Sequence, residues 1–312
     1  MGVNKTVLKL LWEMAPCLIV GALIGRWRSQ WIAPLAVPLV RFGVPVSLMG
    51  LLLHGGLDSS LLWMALIAVS AIALMLMVLH WLSHRIPALG QPDLQLSSCI
   101  GNTAYFGVPA TLALLPPEAL PVSIGYDLGA TLLMWSLGPL WLNQPSPEAT
   151  TRQRWRDLLG HLSASPATRG LIGAVIVMAT PWHDTIRDAL WTPSRAVIVL
   201  AMVVVGMRLG DIAARKLKPA VDLRPPLICK LLLFPALMLV ISLALPLPGY
   251  ARQALVLQAA APTAISVLLI AESEQLNTSA PAQLILISTL LGLVSVPLWG
   301  QLLALISPVF LP

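Results

Sequence analysis

The sequence is poor in charge. Only 10% of its 312 residues are Asp, Glu, Lys or Arg, against 57% hydrophobic, and the mean hydropathy is +0.85. A soluble domain carries about a quarter charged residues. This chain has too little charge to cover a water-facing surface, so lipid is the solvent for most of it. Cysteine is scarce too: Cys17, Cys99 and Cys229 are scattered without paired spacing. That supports neither a disulfide framework nor a metal site. Catalytic and nucleotide signatures are also missing. There is no His-Glu-x-x-His, Gly-x-Ser-x-Gly, paired-aspartate or Walker A pattern, which argues against an intramembrane enzyme and an ATP-driven pump. No enzymatic activity, no cofactor and no large soluble signalling domain are expected. The net charge of +6 does not point to nucleic acid, because the basic residues sit in short clusters between apolar runs, as membrane orientation requires.

What is present is a series of apolar segments. A spanning helix needs about 20 apolar residues, fewer where it is broken. Ten segments qualify, near 8–27, 32–56, 60–82, 94–115, 121–142, 168–182, 194–212, 224–246, 250–272 and 279–307. The first resembles a signal peptide, but Glu13 interrupts it and no small-residue cleavage site follows. The basic residues test the count. With ten spans, alternate loops put Arg26, Arg28, Arg85, Arg152, Arg154, Arg156, Arg169, Arg208, Arg215, Lys216, Lys218 and Arg224 on one side. Lys5, Lys9, Arg187, Arg195 and Arg252 fall on the other. Twelve against five makes the first side cytoplasmic and places both termini outside, in a multi-pass protein of the cell membrane. That placement argues against the short myristoylation pattern at Met1-Gly2, which needs a cytosolic terminus.

Proline marks the interior. Cys99-Ile-Gly-Asn-Thr-Ala-Tyr-Phe-Gly-Val-Pro109 lies in the fourth segment and Leu257-Gln-Ala-Ala-Ala-Pro262-Thr-Ala-Ile-Ser266 in the ninth. Each leads to a further apolar segment with Pro-Leu-Trp, at Pro139–Trp141 and Pro297–Trp299. A proline inside a buried helix frees backbone groups that lipid cannot satisfy, so a break survives only within protein or beside a watery cavity. A matched pair of breaks in two halves is the strongest sequence pointer to a transporter's binding site. Five spans per half invert the second half relative to the first. The expected fold is therefore an all-α polytopic membrane protein, with ten transmembrane helices arranged as two inverted five-helix repeats. Residues 1–142 form the first repeat, 143–167 a cytoplasmic linker and 168–312 the second. Within the linker, Arg154-Trp-Arg-Asp-Leu-Leu159 suits either a membrane surface or a solvated stretch.

The candidate binding residues cluster at the breaks: Asn102, Thr103, Tyr105 and Pro109 in the first, Gln258, Pro262, Thr263 and Ser266 in the second. Where a helix unwinds, polar side chains and freed backbone can hold a carboxylate or a cation. The same small polar residues also serve as glue between membrane helices. Asp127 is an intramembrane carboxylate, expensive to keep there and so a candidate proton carrier. Lys230 lies one turn into the eighth segment, within snorkelling reach of the cytoplasmic surface or of a membrane acid. Gly43, Gly50, Gly206 and Gly210 suit either a homodimer interface or tight packing within the chain.

These residues resemble the auxin efflux carrier, or PIN-like, family of the bile-acid, arsenite and riboflavin transporter superfamily, in the form of a bacterial member. The resemblance rests on Gly101-Asn102-Thr103…Gly107-Val-Pro109, Tyr126-Asp127-Leu-Gly129, Ser165-Pro166, Lys230-Leu-Leu-Leu-Phe-Pro235, Ala261-Pro262-Thr263-Ala264, and Ser288-Thr289 followed by Val296-Pro297-Leu298. It implies that the broken fourth and ninth helices cross. It further implies that helices 1, 2, 6 and 7 form a scaffold and helices 3–5 and 8–10 a moving unit. A secondary, efflux-type carrier of a small organic anion follows, a carboxylate or auxin-like compound, working by alternating access with coupling to protons, to sodium or to neither. The chain departs from the family at Ala259–Ala261, less polar than expected before Pro262, and at the seventh segment, which lacks a proline before Gly206. The competing expectation is a non-transporting receptor or scaffold on a carrier fold.

Overall fold

The computed structural model describes residues 3–57, 59–143, 151–215 and 221–306. The pattern at Met1-Gly2, the start of the linker, Lys216, Lys218 and the end of the tenth segment lie outside these residues. Helices run in the order α1 (Val3–Trp27), α2 (Ser29–Gly55), α3 (Ser59–Ser83), α4 (Pro92–Cys99), α5 (Val108–Leu114), α6 (Ala119–Asn143) and α7 (Thr151–Ala164). They continue with α8 (Pro166–Met178), α9 (His183–Ala214), α10 (Arg224–Ala244), α11 (Gly249–Ala260), α12 (Ile265–Ser273) and α13 (Ser279–Ile306). Helices α2, α3, α9, α10 and α13 are long and apolar enough to cross a membrane, and Met14–Trp27, Thr103–Leu114 and α8 are shorter apolar helices. Large apolar side chains face outward on many of them, including Ile19, Trp63, Val175, Val240 and Leu290. Water would not tolerate that surface; lipid does.

The boundaries follow local chemistry. Ser165 caps α8 by accepting the Ala167 amide at 3.2 Å, with Pro166 in the first turn, where its missing N–H costs nothing. The long polar stretch between the halves contains a helix, α7, which includes the run 154–159. Helix α9 begins at His183 rather than near residue 194 and carries Pro193 inside it.

Three prolines produce the same distortion. Leu39–Gly43, Thr103–Gly107 and Cys229–Leu233 are π-helical turns, each ending two residues before Pro45, Pro109 and Pro235. In each, the amide just before the proline bonds five residues back: Val44 to Leu39, Val108 to Thr103 and Phe234 to Cys229. A proline ring clashes with the carbonyl four residues behind it and donates nothing, and a widened turn relieves both faults. Behind Pro235, the freed carbonyl is Leu231. It accepts the indole Nε1 of Trp299 at 2.9 Å, which gives the second Pro-Leu-Trp a structural use. Trp299→Phe is expected to cost about 1–3 kcal/mol, since it leaves a buried acceptor unpaired, read as a lowered melting temperature in detergent.

Two sets of helices pack most closely, and α1 joins them by also lying against α5 and α13. Helix α1 lies along α9, and α2 packs on α8 and α9; α3 lies along α6, and α11 packs on α6, α10 and α13. The α1–α9 contact is backbone on backbone. A Cβ at Gly25 would stand 1.9 Å from the Met207 carbonyl oxygen, and one at Gly210 would stand 2.0 Å from that of Ala22. Gly206 faces Leu18 in the same way, and Gly50 meets the Ser194 side chain. The small residues of α2 and α9 are thus engaged inside the chain.

Candidate functional site

The chain unwinds at two places, residues 100–102 between α4 and the Thr103–Gly107 turn, and residues 261–264 between α11 and α12. The two unwound stretches cross. Gly101 and Thr263 pair as an isolated antiparallel bridge, with the Asn102 amide on the Pro262 carbonyl at 2.7 Å and the Ala264 amide on the Ile100 carbonyl at 3.1 Å. Each break therefore supplies partners for the other's freed backbone. Side chains satisfy the remaining backbone groups at the breaks, one of them from the opposite half and two from the same half. Thr263 Oγ1 donates to the Ser97 carbonyl at the end of α4 (2.8 Å), and Ser288 Oγ accepts the Thr263 amide (3.1 Å). Lys230 Nζ donates to the Ala259 carbonyl at the end of α11 (2.9 Å) and lies 5.0 Å from the Phe234 ring centroid. Carbonyls at a helix C-terminus carry partial negative charge, so an ammonium there is well placed. Lys230 is wholly buried and does not snorkel.

A cavity of about 120 Å³ lies on one side of this crossing, between it and the α2–α9 pair. Its walls come from Ala36–Leu51 of α2, Gly101–Tyr105, Asp127, Thr131 and Trp135 of α6, Ala201–Arg208 of α9, and Ala264–Leu269 at the start of α12. Of the residues singled out in the sequence, Asn102, Thr103, Tyr105, Ser266 and Asp127 line it. Pro109, Pro262, Thr263, Gln258 and Lys230 do not. The two prolines shape the breaks, and Thr263 and Lys230 hold them closed. Gln258 is buried with both amide atoms unpartnered among the described residues, its Oε1 where a Cβ on Gly107 would fall.

Asp127 is buried, two turns into α6. Thr103 Oγ1 donates to its Oδ1 at 2.5 Å and Thr131 Oγ1 to the same oxygen at 3.4 Å. Asn102 has its backbone fully engaged, its carbonyl accepting the amides of Phe106 and Gly107 at 3.0 Å each. Its side-chain amide makes no hydrogen bond among the described residues. The Tyr105 hydroxyl is likewise buried and unpartnered. Asn102 and Tyr105 thus stand in the wall of a largely aliphatic chamber.

Reading the sequence did not single out Arg208, Ser47, Thr131 or Trp135 as site residues. Arg208 follows a long apolar run and counts there as one more flanking charge; α9 continues past it to Ala214, which draws it into the wall. Thr131 lies one turn beyond Asp127, a helical spacing that can be read in advance. Among the described residues, no group of three or more His, Cys, Asp or Glu is placed to hold a metal.

A helical fold with apolar spans, lipid-facing side chains and a cavity beside two crossed helix breaks defines a multi-pass membrane protein. Residues 57–300 match the family described as Membrane transport protein, and the chain belongs to that family, the auxin efflux or PIN-like carriers. It is also similar to an uncharacterized transporter of Methanothermobacter thermautotrophicus (strain Delta H), 28% identical over 213 residues, which is 67% of each chain. Family and relative together make this a membrane transporter.

Proposed function

We propose that the protein is a secondary carrier of a small organic anion, a carboxylate with an apolar body, which it exposes to each side of the membrane in turn. The observation that carries this reading is the free Asn102 amide, held at the crossing and facing a cavity between two packed groups of helices. In this reading α4 with α5, and α11 with α12, are each one broken span. The chain then has ten spans in two inverted repeats, 1–142 and 168–312, joined by a cytoplasmic linker. The helices α1, α2, α8 and α9 are the scaffold, and the rest move against it. Both termini lie outside the cytoplasm of a cell membrane, as the basic residues indicate.

The lining supports the substrate class. Leu39, Val40, Leu48, Leu51, Val204, Leu269 and Trp135 offer an apolar wall, while Asn102, Thr103, Tyr105 and Ser266 supply polar groups at one end. Asp127, tied to Thr103 of the crossing, is placed to exchange a proton as the site fills. The test is uptake of radiolabelled indole-3-acetate, malate and malonate into proteoliposomes, with and without pH and sodium gradients. Saturable uptake is expected, strongest for the monocarboxylate and steepened by a proton gradient. If correctly oriented, folded protein moves none of them with saturation, the carrier reading is wrong and a receptor on this fold takes its place.

A further inference from the structure

Resting on the carrier reading above, we propose that Arg208 anchors the anionic group of the substrate, and that Glu272 is a tethered carboxylate that occupies Arg208 until substrate displaces it. Arg208 is the sole basic side chain, and Asp127 the sole acidic one, among the described residues that line the cavity. An anion entering this chamber meets one cation. Arginine presents five N–H donors in a planar fork that matches a carboxylate in bidentate fashion. In this structure the fork is only partly used. Arg208 Nη1 bonds Glu272 Oε1 at 3.2 Å, while Arg208 Nε is buried with no partner among the described residues. A buried, unpartnered donor on a guanidinium is costly, and a ligand carboxylate would relieve it.

The existing partner is easily lost. The Glu272 side chain is 41% exposed and that of Arg208 16%, so the acid can return to water while the arginine stays in the wall. An ion pair with one exposed member and a single contact contributes little to stability. The pair also joins α9 to α12, across the space between the two helix groups. Substrate that takes the Arg208 fork releases Glu272 and removes a tie between those groups, which links filling of the site to freedom of movement. Glu272 competes with substrate for the same donors and lowers apparent affinity by the fraction of time it holds them.

Opposite signs test this. Binding of tritiated indole-3-acetate and of radiolabelled malonate is measured on the purified full chain, with melting temperature recorded for each variant. Glu272→Gln frees the fork and is expected to tighten binding by about threefold to tenfold. Arg208→Lys keeps the charge but loses the fork and is expected to weaken binding by about tenfold or more. The double exchange Arg208→Glu with Glu272→Arg rebuilds an ion pair but not the anchor, and binding stays lost. Affinity unchanged in both single variants overturns the proposal. So does affinity lowered in both and restored by the exchange, because that is the behaviour of a structural pair. If the unaltered protein binds neither probe, the carrier reading itself falls; if it binds and the variants do not differ from it, the anchor alone falls.

Discussion

Gly25→Leu is expected to remove the folded protein from the membrane fraction. The reason is the distance between backbones. At Gly25 a Cβ alone would stand 1.9 Å from the Met207 carbonyl oxygen and 2.6 Å from the Met207 Cα. Neither atom belongs to a side chain that can rotate away. Helix α1 would have to leave α9, and with it the contacts that Gly21 makes against Val203 and Gly206. Membrane helices gain no hydrophobic drive from one another, so close backbone packing is a main source of their association. Extra methylenes in a packed core cost roughly 1–3 kcal/mol even where neighbours can yield. Here they cannot, and the expected loss exceeds that range, enough to unfold a protein of ordinary stability. Fluorescence-detected size exclusion should show the main peak gone. Gly160→Leu is the control: nothing lies within 4 Å of a Cβ there, and its peak should be unchanged. A normal peak for Gly25→Leu would mean that α1 and α9 do not meet as described.

Asn102→Ala is expected to leave folding intact and to cut saturable anion uptake by about 10- to 100-fold. The amide side chain supports nothing in the fold, whereas the backbone N–H that holds the crossing together remains in the alanine variant. A hydrogen bond to a charged group is worth about 1.5–3 kcal/mol, which sets the size of the effect. Thr263→Val is its counterpart. Thr263 Oγ1 serves the Ser97 carbonyl rather than the cavity, so its loss should lower the melting temperature while leaving the affinity of the folded fraction close to that of the unaltered protein. Equal damage to uptake and stability in both variants would erase the distinction between a residue facing the cavity and one closing the crossing.

These two residues also show how far the sequence could be read. Both sit beside a proline break, and both stand out for the same reason: a polar residue where lipid cannot solvate it. The sequence contains no sign that one faces the cavity and the other a carbonyl. That depends on the rotation of each half-helix, and the rotation is set when residues 100–102 and 261–264 pair across more than 150 positions of chain. Lys230 is a similar case. Its place near a segment end allows an outward path to the surface, and the Ala259 carbonyl draws it inward instead. Arg208 reads as a flanking charge for as long as α9 is taken to end near it.

The helical, membrane-spanning character of the chain and the two proline-marked breaks were legible from local chemistry, whereas the start of α9 and the presence of α7 were not. Apolar runs dictate where the chain enters lipid, because unsatisfied backbone is intolerable there and helix is the remedy within one segment. Prolines mark where a helix can widen or part, because the missing donor and the ring clash act within one turn, although Pro16, Pro139, Pro193 and Pro297 lie inside continuous helices. The π-turns before Pro45, Pro109 and Pro235 relieve that local clash. Partnership was decided only by packing. The meeting of Gly25 with Met207, of Lys230 with the end of α11, and of Arg208 with Glu272 depends on two backbones approaching closely. Such contacts join residues far apart in the chain. Their energy comes from shape and distance, which no single segment carries.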